Sequence, residues 1–434
     1  MTSRSVILSI LIMLALAVAV KLTAPRSGSE LSAGPDLGPI PAAGLTVGAR
    51  TLAPSGIAGL DTIWLWSEGG TRVPVAVTEA VRAWDQLRAG LIAGAPSAEA
   101  FVPAVTIGAV GAKAGQGGPI VELSEPFAGR VLARAAGKVW SISPGAAGAW
   151  LSTAFGSENS PLMVVPATAF DRARLESPAK TIGLAQTQGQ WMLEAPVATR
   201  ADDGYCVEML RRIASIPAER EVRGSEAGAP ASGAPALMLV LGSALPDGSR
   251  LEQSIEITTA ADRQGQEYFA VARAERVSAE GTRAEAWSPR TVTIARARIE
   301  RLSAEPADYL PATPVRALAG DVRSVRWGET EFVRAGENWS ADGKAAAIDR
   351  AEALKEIVEL ATRVAAGAKA VGTDVPASAV SMMLRDATGA TMGELRVWAS
   401  GSDETPTVSI AAGPARWIWP AERARVLRKQ LETP

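Results

Sequence analysis

One order of features occurs three times along the 434-residue chain. A short apolar stretch carrying Trp comes first, an amphipathic helix follows, and several short strands follow the helix. The stretches are residues 62–66 (TIWLW), 190–193 (QWML) and 337–340 (ENWS). A supersecondary unit that recurs in this way can bury its own helix face on its own strands. The length fits two to four domains or one domain repeated, and the recurrence predicts three similar units.

The helices carry apolar residues at three-and-four spacing, which lays them along one face. In the first these are Val77, Ala80, Val81, Trp84, Leu87 and Leu91. In the second they are Cys206, Met209, Leu210, Ile213 and Ile216. In the third they are Leu354, Ile357, Val358, Ala361 and Val364. Thr199 with Asp202, and Asp349 with Glu352, have the spacing of N-terminal capping pairs. Strands are predicted at 120–123, 130–133 and 139–142, then at 237–241, 254–258, 268–272 and 291–294, then at 380–384, 394–398, 408–410 and 416–419. Several alternate apolar and polar residues, as antiparallel sheets with one covered face do. Asp247-Gly248 and Thr388-Gly389 mark turns between them. The copies end alike, with Trp140 before Pro144, Trp287 before Pro289 and Trp419 before Pro420. Trp140, Trp287 and Trp417 are therefore expected at matching places. The expected fold is α+β: three units of strand, helix and antiparallel sheet at 57–155, 181–300 and 318–434. Linkers are expected at 156–180 and 301–317.

Residues 5–20 (SVILSILIMLALAVAV) form an uninterrupted apolar run between Arg4 and Lys21. As a helix it spans roughly 24 Å, and Leu22 to Ala24 with a snorkelling Lys21 extend it towards a bilayer core of about 30 Å. The expectation is a single-pass anchor over 1–24, N-terminus inside, with the bulk extracytoplasmic. The competing reading is a cleaved signal peptide, for which Ala17-Val18-Ala19 offers small residues. Residues 25–56, rich in Pro, Gly and Ala, read as a flexible tether.

Composition narrows the chemistry. There is no His and one Cys, so His-based triads, Cys–His dyads, structural zinc sites and disulfide scaffolds are excluded. Lys and Arg total 44 against 46 Asp and Glu, and a chain of net charge −2 has no electrostatic pull towards nucleic acid. Ser177-Pro178-Ala179-Lys180 matches the serine–lysine pattern of penicillin-recognising enzymes. The partner motifs are missing, and a linker serine is the preferred reading. Glu275, Glu280, Glu285, Asp202 and Asp203 read as solvated faces and caps rather than a carboxylate pair. Cys206 reads as a buried, inert thiol. Twelve Trp exceed six Phe and three Tyr. Trp417-Ile418-Trp419 could stack on sugar rings, although repetition at equivalent places favours core positions. No catalytic, cofactor-binding or metal-binding residue is assigned, and no cofactor is expected.

The layout is similar to a bacterial domain of unknown function that accompanies gliding-motility-type ABC transporters. The residues that carry the likeness are Tyr309-Leu310-Pro311, Val322 to Trp327, Phe332-Val333-Arg334 and Glu337-Asn338-Trp339. The resemblance implies an anchored accessory protein of the bacterial inner membrane with protein partners in the envelope. It implies no chemistry. The expected function is that of a non-enzymatic interaction or scaffold protein. The alternative is a glycan-binding or carboxylate-dependent glycan-active envelope protein, which would need exposed Trp or two close acids in a cleft.

Overall fold

The computed structural model describes residues 34–111, 120–152, 161–222, 235–261, 265–302, 304–372, 374–402 and 404–432. The apolar run at 5–20, the start of the tether, and most of the two Gly/Ala-rich stretches before the strands lie outside them. Among the described residues, no helix is long and apolar enough to cross a membrane.

Three sheets of nine strands are built in one way. The first holds β1 (Leu45–Val47), β2 (Arg50–Pro54), β3 (Ile63–Glu68), β4 (Thr71–Ala76), β5 (Ala95–Pro96), β6 (Val105–Ala109), β7 (Val121–Leu123), β8 (Val131–Ala135) and β9 (Lys138–Ile142). Helix α1 (Val77–Ile92) lies between β4 and β5, and α2 (Pro144–Leu151) follows β9. The second sheet holds β10 (Arg172–Glu176), β11 (Thr181–Thr187), β12 (Gln190–Ala195), β13 (Thr199–Arg200), β14 (Arg220–Glu221), β15 (Leu237–Ala244), β16 (Arg250–Ala261), β17 (Glu267–Val277) and β18 (Arg283–Ala295). Here α3 (Asp203–Ala214) takes the place of α1, and α4 (Arg296–Glu300) that of α2. The third holds β19 (Ser324–Trp327), β20 (Thr330–Ala335), β21 (Asn338–Ala341), β22 (Lys344–Ala345), β23 (Ala368–Val371), β24 (Val380–Arg385), β25 (Thr391–Gly401), β26 (Pro406–Ala412) and β27 (Ala415–Pro420), with α5 (Ile348–Thr362) and α6 (Arg425–Glu432).

Each sheet has the order 4-3-2-1-6-7-8-9-5, counted within the unit. The chain meanders outward over four strands and crosses by the helix. It lays its fifth strand on the far edge and returns to pair the sixth strand with the first. The central pairing is antiparallel in all three, with Thr46 opposite Gly108, Arg174 opposite Val240 and Val325 opposite Leu384. The edge pairing joins the fifth strand to the ninth, with Pro96 opposite Trp140, Glu221 opposite Val292 and Lys369 opposite Trp417.

The three repeated units and their antiparallel sheets are present, but the protein is mostly β, with 43% strand and 20% helix. The Trp-bearing stretch is the third strand of each unit (β3, β12 and β21), not the first. Residues 45–54, read above as tether, form β1 and β2. Residues 172–180, read as linker, form β10 and its turn. These opening strands are three to five residues long. A period-two pattern over so few residues does not stand out. Two-residue turns then fix the register. Ala136-Gly137 and Gln188-Gly189 both have positive φ at each position, the type I′ geometry whose twist matches that of paired strands.

The helix faces follow the apolar spacing. Helix α1 buries Ala80, Ala83, Trp84, Leu87 and Leu91, while Val81 sits off the face. Helix α3 buries Cys206, Met209, Leu210 and Ile213, and α5 buries Leu354, Ile357, Val358 and Ala361 among others. Of the predicted pair Thr199 and Asp202, only Asp202 caps: it is the N-cap of α3 and its carboxylate accepts from the Tyr205 N–H at 2.8 Å, whereas Thr199 lies in β13. The other predicted pair does not cap. The residue preceding α5 is Ala347, with no side-chain cap, and the Asp349 carboxylate lies 4.0 Å from Lys429 Nζ.

Trp287 departs from the expected equivalence. Trp140 and Trp417 face the fifth strand, whereas the matching residue of β18 is Val292. Trp287 lies opposite Ala274, beyond a bulge in which Ser288 and Pro289 together oppose Arg273. Proline has no N–H for the ladder, and a bulge is one of the few sheet positions that accepts it. The Trp-Pro pair therefore marks a bulge in the second unit and the strand end in the other two.

By packing, the chain divides into two compact bodies. In the body of residues 34–51 with 80–152, Trp84 and Trp150 meet edge to face at 5.9 Å. Their indole N–H groups donate to Gly38 O and Ala83 O. In the body of residues 52–79 with 161–432, one core joins Leu60, Ile63 and Leu65 to the second sheet and α3. A second core lies under the third sheet, and Val371 packs against both.

Candidate binding cavity of the second unit

The serine–lysine pair occupies the turn between β10 and β11. The Ser177 hydroxyl donates to Lys180 O and accepts from Lys180 N–H, both at 3.2 Å. The local hydrogen bonds of a Ser at the first turn position close this hairpin. The pair needed for nucleophilic chemistry is not assembled. The ammonium of Lys180 donates to the Ala304 carbonyl at 2.6 Å and to Glu305 Oε1 at 2.6 Å. Its Nζ is thus directed at Ala304 and Glu305, and the Ser177 hydroxyl at the Lys180 backbone, so the two side chains do not form a nucleophile–base pair.

The same turn borders a cavity of about 240 Å³ at one end of the core under the second sheet. Its floor is Leu175, Ile182, Ile257, Ile299 and Leu302, all buried. Half-buried Ser177, Lys180, Ala236, Leu237 and Tyr268 mark its open side. The walls come from β10, β11, β15, β16, β17, α4 and the segment after it. The Arg296 guanidinium stands 5.8 Å from the Tyr268 ring centroid and pairs with Glu300. Lys180 is the one cation among the lining residues, and the carboxylate that holds it, Glu305, has a side chain more than half exposed. No sequence signal gathers these lining residues, because they come from five separated stretches of chain.

The other candidates are structural. Asp202 caps α3, and Asp203 accepts from the Trp191 N–H at 2.8 Å and from Arg316 at 3.4 Å. Glu275 and Glu285 are direct cross-strand neighbours, but Arg283 bonds Glu275 at 2.6 Å and also reaches Glu252. Glu280 lies in the turn beyond them, and the Ser278 hydroxyl holds its carboxyl below the usual carboxylate range. A general acid needs a shift the other way. Asp36, Asp247 and Asp386 are also held low, chiefly by hydrogen bonds from Gly38, Ser249 and Thr388. Among the described residues, no three His, Cys, Asp or Glu side chains come together as a metal site would require.

Eleven of the twelve Trp are buried and Trp327 is half-buried. The indole N–H of Trp417 donates to Pro311 O at 2.8 Å, and that of Trp419 to Val364 O at 3.1 Å. Both rings are core, so Trp417-Ile418-Trp419 forms no stacking platform.

Cys206 is fully buried on α3. Burial, with Asp202 and Asp203 adding to it, pushes its thiol up to about 12. Its neighbour Tyr205 meets Tyr309 edge to face at 5.0 Å, and burial raises both phenols. This cluster joins the second and third units. The Asp202 N–H donates to Tyr309 O, and Lys369 Nζ on β23 donates to Leu310 O at 2.6 Å.

No family model and no curated protein matches the chain.

Proposed function

We propose that the protein is a non-enzymatic scaffold or interaction subunit, held at the bacterial inner membrane by residues 5–20 with its three units outside the cytoplasm. On this reading it is an accessory to an envelope or ABC-transporter assembly. The observation that carries the proposal is the threefold repetition of one nine-stranded sheet. A unit repeated in this way offers the same kind of surface several times over for partners. Two features support the non-enzymatic part: the Ser177 hydroxyl is spent on the backbone of its own turn, and Trp417 and Trp419 are buried.

Native membranes test the placement and the role together. After carbonate extraction the protein should stay in the membrane fraction with an N-terminus that includes residues 5–20. In-cell crosslinking should join it to a transporter or envelope subunit. A soluble product beginning near residue 20, with no crosslinked partner, would overturn the proposal. Fluorophosphonate and penicillin-type probes should leave the protein unlabelled. Stoichiometric labelling abolished by Ser177→Ala would make it an enzyme.

A further inference from the structure

We infer that the cavity of the second unit is a binding site for a single-chain anionic amphiphile, a medium-chain fatty acid or a molecule of that shape. This does not depend on the scaffold reading. The floor is purely hydrocarbon: Leu175, Ile182, Ile257, Ile299 and Leu302 offer no polar side-chain atom. A cavity of 150 Å³ lined in this way takes benzene, so about 240 Å³ takes roughly ten apolar heavy atoms. Polar groups collect at the open side, where Lys180 and Ser177 lie on one hairpin turn. Pockets that take small ligands share this division, apolar walls with a few placed polar groups.

The charge at the opening selects the headgroup. Lys180 Nζ is anchored from below by the Ala304 carbonyl at 2.6 Å, so the cation stays at the opening whatever its second partner is. That second partner is the Glu305 carboxylate, whose side chain is 71% exposed. An exposed ion pair of this kind contributes little and exchanges readily. A ligand carboxylate can take the place of Glu305 on Lys180 while its chain enters the cavity. Glu305 then turns to water.

Calorimetric titration of the full chain with decanoate and with decanol tests the site. Decanoate should bind with one-to-one stoichiometry and at least fivefold more tightly than decanol. Leu237→Trp and Ala236→Phe, which fill the opening, should each weaken decanoate at least tenfold. Lys180→Met should weaken decanoate at least fivefold and leave decanol unchanged. Isoleucine-methyl spectra of the unsubstituted protein give a readout that needs no variant. Ile182, Ile257 and Ile299 should shift together on adding decanoate. Several results would overturn the site: no saturable binding in the millimolar range, methyl shifts confined to other isoleucines, or binding untouched by both filling variants. Equal affinity for decanoate and decanol, unmoved by Lys180→Met, would overturn the anionic headgroup.

Discussion

The residue that reports most directly on the core is Cys206, the chain's one thiol. It is fully buried, and its ionisation is pushed up to about 12. Thiolate is the reactive form, so the native protein should resist thiol reagents at pH 8, and labelling should appear only with unfolding. Rapid stoichiometric labelling of the native protein would show that α3 opens. The same shift sets a direction with pH. The folded state binds this proton more tightly than the unfolded state. The stability it contributes is therefore complete below pH 9.0, the ordinary value, and is lost between 9.0 and about 12. The raised phenol of Tyr309 acts in the same sense at higher pH. The unfolding free energy from denaturant melts should fall from about pH 9 upward by at most about 1.4 kcal/mol per pH unit for each proton, and Cys206→Ala should flatten the first part of that fall. At this scale the sequence was legible where burial follows from spacing. Cys206 stands in a three-and-four apolar series, so an inert thiol could be read from the sequence. The fate of Lys180 could not, because its partners Ala304 and Glu305 lie more than a hundred positions away.

Among the elements, the helices were the easiest to read and the opening strands the hardest. Helix α5 presents Leu354, Ile357, Val358 and Ala361 to its sheet as spaced, and all four are buried. Leu354→Ala should cost about 2–5 kcal/mol in denaturant melts, whereas Ile348→Ala, 78% exposed at the start of the same helix, should cost close to nothing. Equal effects from the two would mean that the helix is rotated. Strands as short as β1, β10 and β19 carry too few residues to declare a face. Their place is set by the pairing of the first strand with the sixth, which is not local in sequence. Turns do part of that work. Gly189 has φ +78, and a branched residue there forces strain on the β11–β12 hairpin. Gly189→Val should cost about 1–3 kcal/mol by thermal or chemical melt, and a neutral outcome would show that the hairpin can adopt another turn. The Trp-Pro similarity misled for a related reason. Pro289 fits a bulge inside a thirteen-residue strand as well as Pro420 fits a strand end. Local chemistry alone does not separate the two.

For the molecule as a whole, the three sheets share a topology but not a size. Strand β18 has thirteen residues where β9 has five. Antiparallel meanders lengthen at their tips without changing the order of strands, which is why the repeat survives while the sequences diverge. The core that joins Leu60, Ile63 and Leu65 to the second sheet predicts that β3 and the second sheet open together. Native-state hydrogen exchange should give the amides of Ile63 and Leu65 protection that follows those of Leu239 and Ile255 as denaturant is added. Exchange of Ile63 and Leu65 at a distinctly lower free energy would show the two to be independent. The pairing of each fifth strand with the ninth has a further consequence during synthesis. On the ribosome, β5, β14 and β23 emerge well before β9, β18 and β27, their partners. No sheet can pair its fifth strand until the last strand of that unit has left the exit tunnel. The nascent chain therefore matures in three instalments, each completed by its final strand, and a pause inside strands six to eight of any unit leaves that unit with an unpaired edge when chaperones meet it.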